Sequence, residues 1–129
     1  MSKLRQLVKM QRAKVFYTDN GVAKHLFSLP RTATLIGITT QVVTGFDGTS
    51  TDLLSIGTSA SAAYFVSNFD VSSAGYKMNT LLQGGTFEDL GLTGPVVDIF
   101  ATYTDTNSNA TEGEATVIAI YADPFTNPA

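Results

Sequence analysis

Residues 32–69 read TATLIGITTQVVTGFDGTSTDLLSIGTSASAAYFVSNF, and this stretch decides the fold. A β-branched run at 34–44 ends in the turn sequence GFDG at 45–48, and a short apolar run follows at 53–56. After a loop of small residues, the aromatic pair at 64–65 resumes the apolar pattern. Short β-branched and aromatic runs separated by Gly, Asp and Ser predict β-strands that pair with one another.

The same pattern continues on both sides of this stretch. We count about eight candidate strands, with turn signals every 8–12 residues and no helix beyond one or two turns near the N-terminus. This spacing is typical of a β-sandwich or a closed barrel. The sequence therefore predicts an all-β fold, a jelly-roll-like antiparallel β-sandwich with two sheets of four strands.

Several pairings can also be predicted. The runs 13–18 and 24–29 flank the turn Asp19-Asn20-Gly21 and are predicted to form a hairpin. The strong runs 96–104 and 114–122 are predicted to form a second hairpin across a polar loop. Within the central run, Ile36, Ile38 and Val42 are predicted to face the core. The tail 123–129 contains two prolines and is predicted to lie outside the sheet.

Composition limits the class of protein. A chain of 129 residues fits one domain. It has no cysteine, which excludes disulfides and cysteine-ligated zinc. No apolar run approaches the ~20 residues of a membrane helix, and the basic N-terminus lacks the continuous apolar segment of a signal peptide. We expect a protein made inside the cell, without a membrane anchor.

Charge is distributed unevenly along the chain. Residues 1–31 carry seven basic residues and one acid, whereas residues 32–129 carry one lysine and ten acids. We therefore predict two parts, an extended or short-helical basic N-terminal arm at 1–12 and a single β-sandwich domain at 13–129. The predicted partner-binding residues are Lys3, Arg5, Lys9, Arg12 and Lys14.

Such an arm usually meets a surface of opposite charge. Nucleic acid, an acidic protein surface and the acidic body of a neighbouring copy are all candidates, and a solvated tail is the simplest alternative. The acidic remainder of the chain disfavours nucleic acid, because it would repel phosphate.

Motifs for catalysis or metal binding are incomplete. The sequence Asp105-Thr106-Asn107-Ser108-Asn109 matches the start of a calcium loop, but Ala110 and Thr116 replace its glycine and its final glutamate. His25 is the single histidine, and no nucleophile elbow is present. The neighbouring acids Glu88–Asp89 and Glu112/Glu114 do not by themselves make a hydrolytic pair. We predict no enzyme, no metal site and no cofactor.

Four aromatic residues cluster in the sequence around the loops at 64–76. An exposed platform of these rings could bind sugar, and burial in the core explains them equally well. They are Tyr64, Phe65, Phe69 and Tyr76.

Three quoted segments carry a family resemblance: ATLIGITTQVVTGFDGT, LLSIGT and YFVSNFDVSSAG, extended by the pair GPVVDIFATYTD and GEATVIAIYAD. Together they resemble tailed-bacteriophage virion structural proteins of the jelly-roll decoration (cement) or head-fibre type. The resemblance implies a capsid decoration protein of the virion, made in the host cytoplasm. It also implies a homo-oligomer, commonly a trimer, that binds the major capsid protein or another virion protein and stabilises the shell. A tail or fibre component with a carbohydrate- or receptor-binding sandwich is the alternative, and no catalytic residue carries over.

Overall fold

The computed structural model describes residues 3–49, 51–79, 81–82, 85–87, 90–92 and 94–127, with the backbone alone at 3–7 and 123–127. These residues form β-strands and one 3-10 turn at Tyr17–Asp19. No helix among them is long and apolar enough to cross a membrane. The strands are β1 (Lys3–Phe16), β2 (Ala23–Pro30), β3 (Thr34–Thr44), β4 (Leu53–Gly57), β5 (Val66–Asp70), β6 (Gly75–Asn79), β7 (Gly85–Thr86), β8 (Val96–Thr104) and β9 (Glu114–Asn127).

The strands form two antiparallel sheets. The first has the order β1-β9-β3-β6, with the short β7 pairing the start of β3, and the second has the order β2-β8-β4-β5. The pairs are nested, with β4 against β5 innermost, then β3 against β6, β2 against β8, and β1 against β9. A folded ribbon of eight strands rolled into two sheets is a jelly roll. The predicted all-β sandwich is confirmed.

The core lies between the two sheets. On β8, Val97, Ile99, Ala101 and Tyr103 all face inward and are at most 5% exposed, as the alternation of the sequence predicts. Removing such side chains from water is the main force that holds the sheets together, at about 1.5–3 kcal/mol for each large one. The largest fully buried aromatic side chains are Tyr103, Phe27, Phe46, Phe65 and Phe87.

Both predicted hairpins are wrong. β1 and β2 flank the turn at 19–21, but β1 pairs β9 in the first sheet and β2 pairs β8 in the second. β8 and β9 likewise belong to opposite sheets. A turn sequence reverses the chain, but it does not determine whether the next strand joins the same sheet or crosses to the facing one. In a nested jelly roll, most connections cross.

The predicted core face of β3 is wrong at one residue. Ile38 and Val42 are buried as expected, but Ile36 is 52% exposed and Leu35 takes its place in the core. The register of β3 against β9 shifts between Leu35 and Gly37, so that Ile36 is the extra residue of a bulge. A bulge reverses the inward and outward alternation from that point, and strict period-two counting then fails.

The two chain termini pair with each other. The predicted arm is extended rather than helical, and its residues 3–12 form the first part of β1, opposite β9. The prediction that the tail lies outside the sheet is wrong, because β9 continues to Asn127 with Pro124 opposite Gln6. Beyond Ala122, β9 has left β3 and has β1 as its neighbour among the described residues. A two-stranded ribbon tolerates proline where its missing N–H would point away from the partner strand.

Candidate functional site

The predicted partner-binding cations lie along one edge strand but not on one face. Arg12 and Lys14 have the parity opposite to that of the buried Val15, so they point away from the core, and Lys9 has the parity of Val15. Lys14 Nζ lies 3.2 Å from Glu114 Oε2 on β9. Lys3 and Arg5 occupy the ribbon opposite Asn127 and Phe125, and their side chains lie outside the described residues. Their binding role stays a prediction.

A buried polar contact organises the opposite end of the sandwich. The hydroxyl of Tyr103 donates to Asp52 Oδ1 at 2.6 Å, and the same oxygen accepts the Gly48 N–H at 3.0 Å. Burial, followed by the hydrogen bond to Asp52 and its charge, raises the pKa of Tyr103 far above its usual value. Residue 48 must be glycine, because a Cβ there would lie 2.6 Å from Asp52 Oδ1 and 2.7 Å from Asp105 Oδ1.

A second carboxylate fastens two loops together at this end. Asp47 Oδ1 accepts the backbone N–H groups of Thr111 and Glu112, and its Oδ2 accepts the Thr111 hydroxyl at 2.6 Å. The Thr111 hydroxyl, followed by these N–H groups, holds the pKa of Asp47 below its usual value. Asp47 and Asp52 therefore act as internal acceptors at this end, which rigidifies the loops.

The calcium-like loop is also closed on itself. Asp105 is 4% exposed, and its two carboxylate oxygens accept the N–H groups of Asn107, Asn109 and Ala110 at 2.8–3.2 Å. Ser108 takes a positive φ of 52° to complete the turn. No cluster of three or more metal-ligating side chains occurs in the part of the chain that the structure describes. The Asp105 carboxylate is thus occupied by the loop's own N–H groups, and Asn20, Thr49 and Thr51 hold the loop from outside.

Replacing Asp105 with alanine should therefore destabilise the fold by about 1–3 kcal/mol, because three backbone donors lose their acceptor. Thermal and chemical unfolding would measure the loss, with Asp105→Asn, which keeps one acceptor oxygen, expected to fall in between. Adding calcium should leave the midpoint of the wild-type protein unchanged. A calcium-dependent rise that disappears in Asp105→Ala would contradict this account.

His25, Ser28 and Asp98 meet on the outer face of the second sheet, but not as a catalytic triad. His25 Nε2 lies 3.0 Å from Ser28 Oγ and 3.2 Å from Asp98 Oδ1, and Ser28 donates to that same oxygen at 2.6 Å. The Ser28 bond, followed by His25, holds the pKa of Asp98 below its usual value. A triad needs histidine between the serine and the acid, using two different ring nitrogens. Here one nitrogen faces both groups, and the serine donates to the acid, so the cluster does not activate a nucleophile.

The aromatic residues do not form a sugar-binding platform. Phe65 is fully buried, and the ring of Tyr64 packs edge-on against it at 5.0 Å. Phe69 is partly buried, with Lys77 Nζ 5.5 Å from its ring. Tyr76 is 64% exposed, but it lies on β6 in the other sheet. The interpretation of these rings as mainly structural is confirmed for Phe65.

Several shallow clefts lie on the surface of the described residues. One of about 260 Å³ lies beside Asp98 and is lined by Thr58, Leu92 and Val97 among others. Another of about 360 Å³ lies between the edge strands β5 and β6. Neither of these two clefts is lined by more than one acid, whereas a third, of about 290 Å³, is lined by both Asp52 and Asp70. Glu88 and Asp89 lie outside the described residues.

Sequence reasoning missed one surface, the outer face of the first sheet. Val8, Met10, Tyr76 and Met78 are 60–71% exposed there. One signal could have found it. The run at 115–122, ATVIAIYA, is apolar at both parities, which is typical of a strand covered on both faces.

Comparison with solved structures supports the fold. One chain of the "Cyanophage Pam1 capsid asymmetric unit" aligns with a TM-score of 0.68 and 20% identity, covering 92% of this chain and 86% of that one. One chain of the "Acidic stable capsid structure of Helicobacter pylori bacteriophage KHP30" aligns with the same TM-score and identity, covering 100% of both chains. No protein-family model matches the sequence, and no curated protein matches it. At this identity, the likeness establishes a shared fold.

Proposed function

We propose that this chain is a structural protein of a bacteriophage virion, a decoration protein that oligomerises and binds the capsid shell. One observation carries the proposal: the fold matches chains from two phage capsid structures, and in one case the match spans both chains from end to end. A shared fold does not by itself imply a shared function. The internally satisfied acids, the closed Asp105 loop and the absence of a triad at His25 agree with a structural role.

In this proposal the protein attaches to the shell through the basic ribbon, the antiparallel pair formed by the first part of β1 and the end of β9. β1 is the edge strand of its sheet, and it carries five cations within fourteen residues. At the other end of the sandwich, the loops carry Asp47, Asp52, Asp105 and Glu112. This polarity would direct the ribbon towards an acidic surface and the loops away from it.

Neutralising the ribbon should weaken attachment without unfolding the protein. The test variant changes Lys3, Arg5 and Lys9 to serine, and the control variant changes Lys24, Arg31 and Lys77 to serine, which removes the same total charge elsewhere. Binding is measured by co-sedimentation with capsid shells of the encoding phage that lack this protein. At roughly 0.5–1 kcal/mol for each lost pair, the ribbon variant should bind at least about tenfold more weakly.

The control should bind like the wild-type protein, and added salt should weaken wild-type binding. Equal binding by both variants would exclude the ribbon as the attachment site. Failure of the wild-type protein to bind shells would contradict the proposed function itself. Substitution is preferable to deletion of residues 1–12, because deletion would remove much of an edge strand paired with β9.

A further inference from the structure

The outer face of the first sheet carries apolar side chains on β1, β9 and β6, with Gly37, Thr39 and Gln41 of β3 between them. The backbone register places Arg12, Ile118, Thr39 and Met78 in one row across β1, β9, β3 and β6. Met10, Ile120 and Gly37 form the next row. Ile118 is 6% exposed yet lies outside the core cluster, while its neighbours Val117 and Ala119 belong to it. The apolar residues of these rows therefore point away from the core.

The outer face of the second sheet differs in its chemistry. There the rows contain Ser28 opposite Asp98, and Thr102 opposite Ser55. Ser55 is hydrogen-bonded in turn to Asn68. An antiparallel sandwich normally solvates such outer faces, with polar side chains alternating with core residues. The first sheet departs from this pattern, and an exposed apolar patch of this kind marks an interaction surface.

We propose that the outer face of the β1-β9-β3-β6 sheet is the surface through which one copy of this chain packs against another. The inference rests on the proposed function, and it identifies the surface through which the protein would oligomerise. We call this surface the apolar face. Its exposed apolar members are Val8, Met10, Tyr76 and Met78, and Ile120 is partly buried between them.

The size of the apolar face suits a second copy. The face spans residues 8–14, 116–122, 37–41 and 76–78 on four strands about 4.8 Å apart, which gives a footprint of roughly 19 by 19 Å, on the order of 350 Å². Side-chain relief adds to this area, so the face supplies about half of the ~800 Å² that each partner buries in a standard interface. Interfaces between identical subunits are also the more apolar class.

The charges on the apolar face are arranged for self-packing. No carboxylate lies in the rows at 8–14, 116–122, 37–41 and 76–78, and the cations there that point outward, Arg12 and Lys14, lie on the edge strand β1, with Lys14 paired to Glu114 at the end of the face. Tyr76 and Met78 line the opposite edge, on β6. When β1 of one copy lies over β6 of the next with these rows aligned, the cations stay apart and Lys14 lies over the ring of Tyr76, which is a favourable contact.

A double substitution tests the inference in the full-length protein. Met10→Lys with Met78→Lys places two ammonium groups within the apolar face, and Val96→Lys is the control, since Val96 is 45% exposed on the other sheet. Mass in solution is measured by light scattering, and folding by circular dichroism. Because buried ammonium groups without partners are costly, the pair should weaken self-association by at least about a hundredfold. The control should keep the wild-type mass.

Labelling gives a second readout that does not depend on the lysine variants. The chain has no cysteine, so Met78→Cys and Val96→Cys each introduce a single thiol. In the assembled protein, a maleimide should label position 78 much more slowly than position 96, and dilution to the monomer should remove the difference. A monomeric wild-type protein, an unchanged mass of the lysine pair, or equal labelling would overturn the inference.

These outcomes are separate from those for the proposed function. If the wild-type protein binds shells as a monomer, the apolar face is excluded as a self-association surface and the decoration role survives. If the lysine pair dissociates but the wild-type protein never binds shells, the self-association surface is supported and the decoration role fails.

Discussion

Replacing Phe46 with alanine is expected to lower the free energy of unfolding by about 3–5 kcal/mol, the range for truncating a buried phenylalanine. Phe46 is 1% exposed, and its ring centroid lies 4.5 Å from that of Tyr103. Its N–H donates to the carbonyl of Val71 at 3.1 Å, which fixes the backbone in place. The surroundings therefore cannot close over the cavity, and denaturant unfolding should show nearly the full cost.

Phe100→Ala is the matched control. Phe100 is only partly buried, on the outer face of the second sheet, where its ring packs edge-on against His25 at 5.4 Å. Removing a partly buried ring from the outer face leaves no closed cavity, so we expect about 1 kcal/mol, well below the loss at Phe46. Equal losses of stability at the two positions would mean that Phe46 contributes no more to core packing than the partly buried Phe100.

The position of Phe46 shows where sequence reasoning stops. The turn sequence at 45–48 correctly predicts a connection between β3 and β4. It does not predict that the phenylalanine inside the turn enters the core. The space for the ring is provided by Gly113, in the loop before β9, where a Cβ would lie 2.5 Å from a ring carbon of Phe46. A glycine so distant in sequence gives no local signal for that contact.

Local signals predicted the strands better than their partners. Alternation along β8 correctly predicted its core face, because that strand has no register shift against β4. The pairing of β1 with β9 joins the two ends of the chain, and no turn sequence between them specifies it. Register shifts such as the one at Ile36 depend on how both partner strands twist together, so they too escape single-strand counting.

The candidate surfaces were predicted in part. The excess of cations near the N-terminus is visible in composition, but strand geometry divides Lys9 from Arg12 and Lys14. The apolar face needs four strands from distant parts of the chain, and its rows become apparent only once the register is known. Among its four strands, β9 alone has a sequence pattern, apolar at both parities, that indicates such a face.

Replacing Tyr103 with phenylalanine is expected to cost about 2 kcal/mol, although only one oxygen is removed. The Tyr103 hydroxyl is the side-chain donor to Asp52 Oδ1 at 2.6 Å, and Asp52 is 5% exposed. Without it, a largely buried acceptor loses its partner, and such a loss costs about 1–3 kcal/mol. Asp52→Ala should cost as much or more, because the Gly48 N–H also loses its acceptor.

The double variant separates this hydrogen bond from packing. If the two groups act mainly on each other, losing both should cost less than the sum of the single losses by about 1 kcal/mol or more, a coupling within the range for contacting residues. Tyr64→Phe, which removes a hydroxyl from a partly exposed ring, is the control and should change stability by under about 0.5 kcal/mol. Strictly additive losses would show that Tyr103 and Asp52 stabilise the fold independently.

The dependence on pH gives the same hydrogen bond an independent signature. Burial raises the pKa of Tyr103 in the folded protein, so the unfolded state is the one that loses the phenolic proton first. Its contribution to stability should be complete below the ordinary tyrosine pKa of about 10 and decline as the pH rises above it. The advantage of the wild-type protein over Tyr103→Phe should therefore shrink in alkaline solution, whereas the cost of Phe100→Ala, whose ring packs against His25, should stay constant. If the advantage over Tyr103→Phe were constant across that range, the hydroxyl would be ionising equally in both states, and the buried contact with Asp52 could not be what holds this end of the sandwich together.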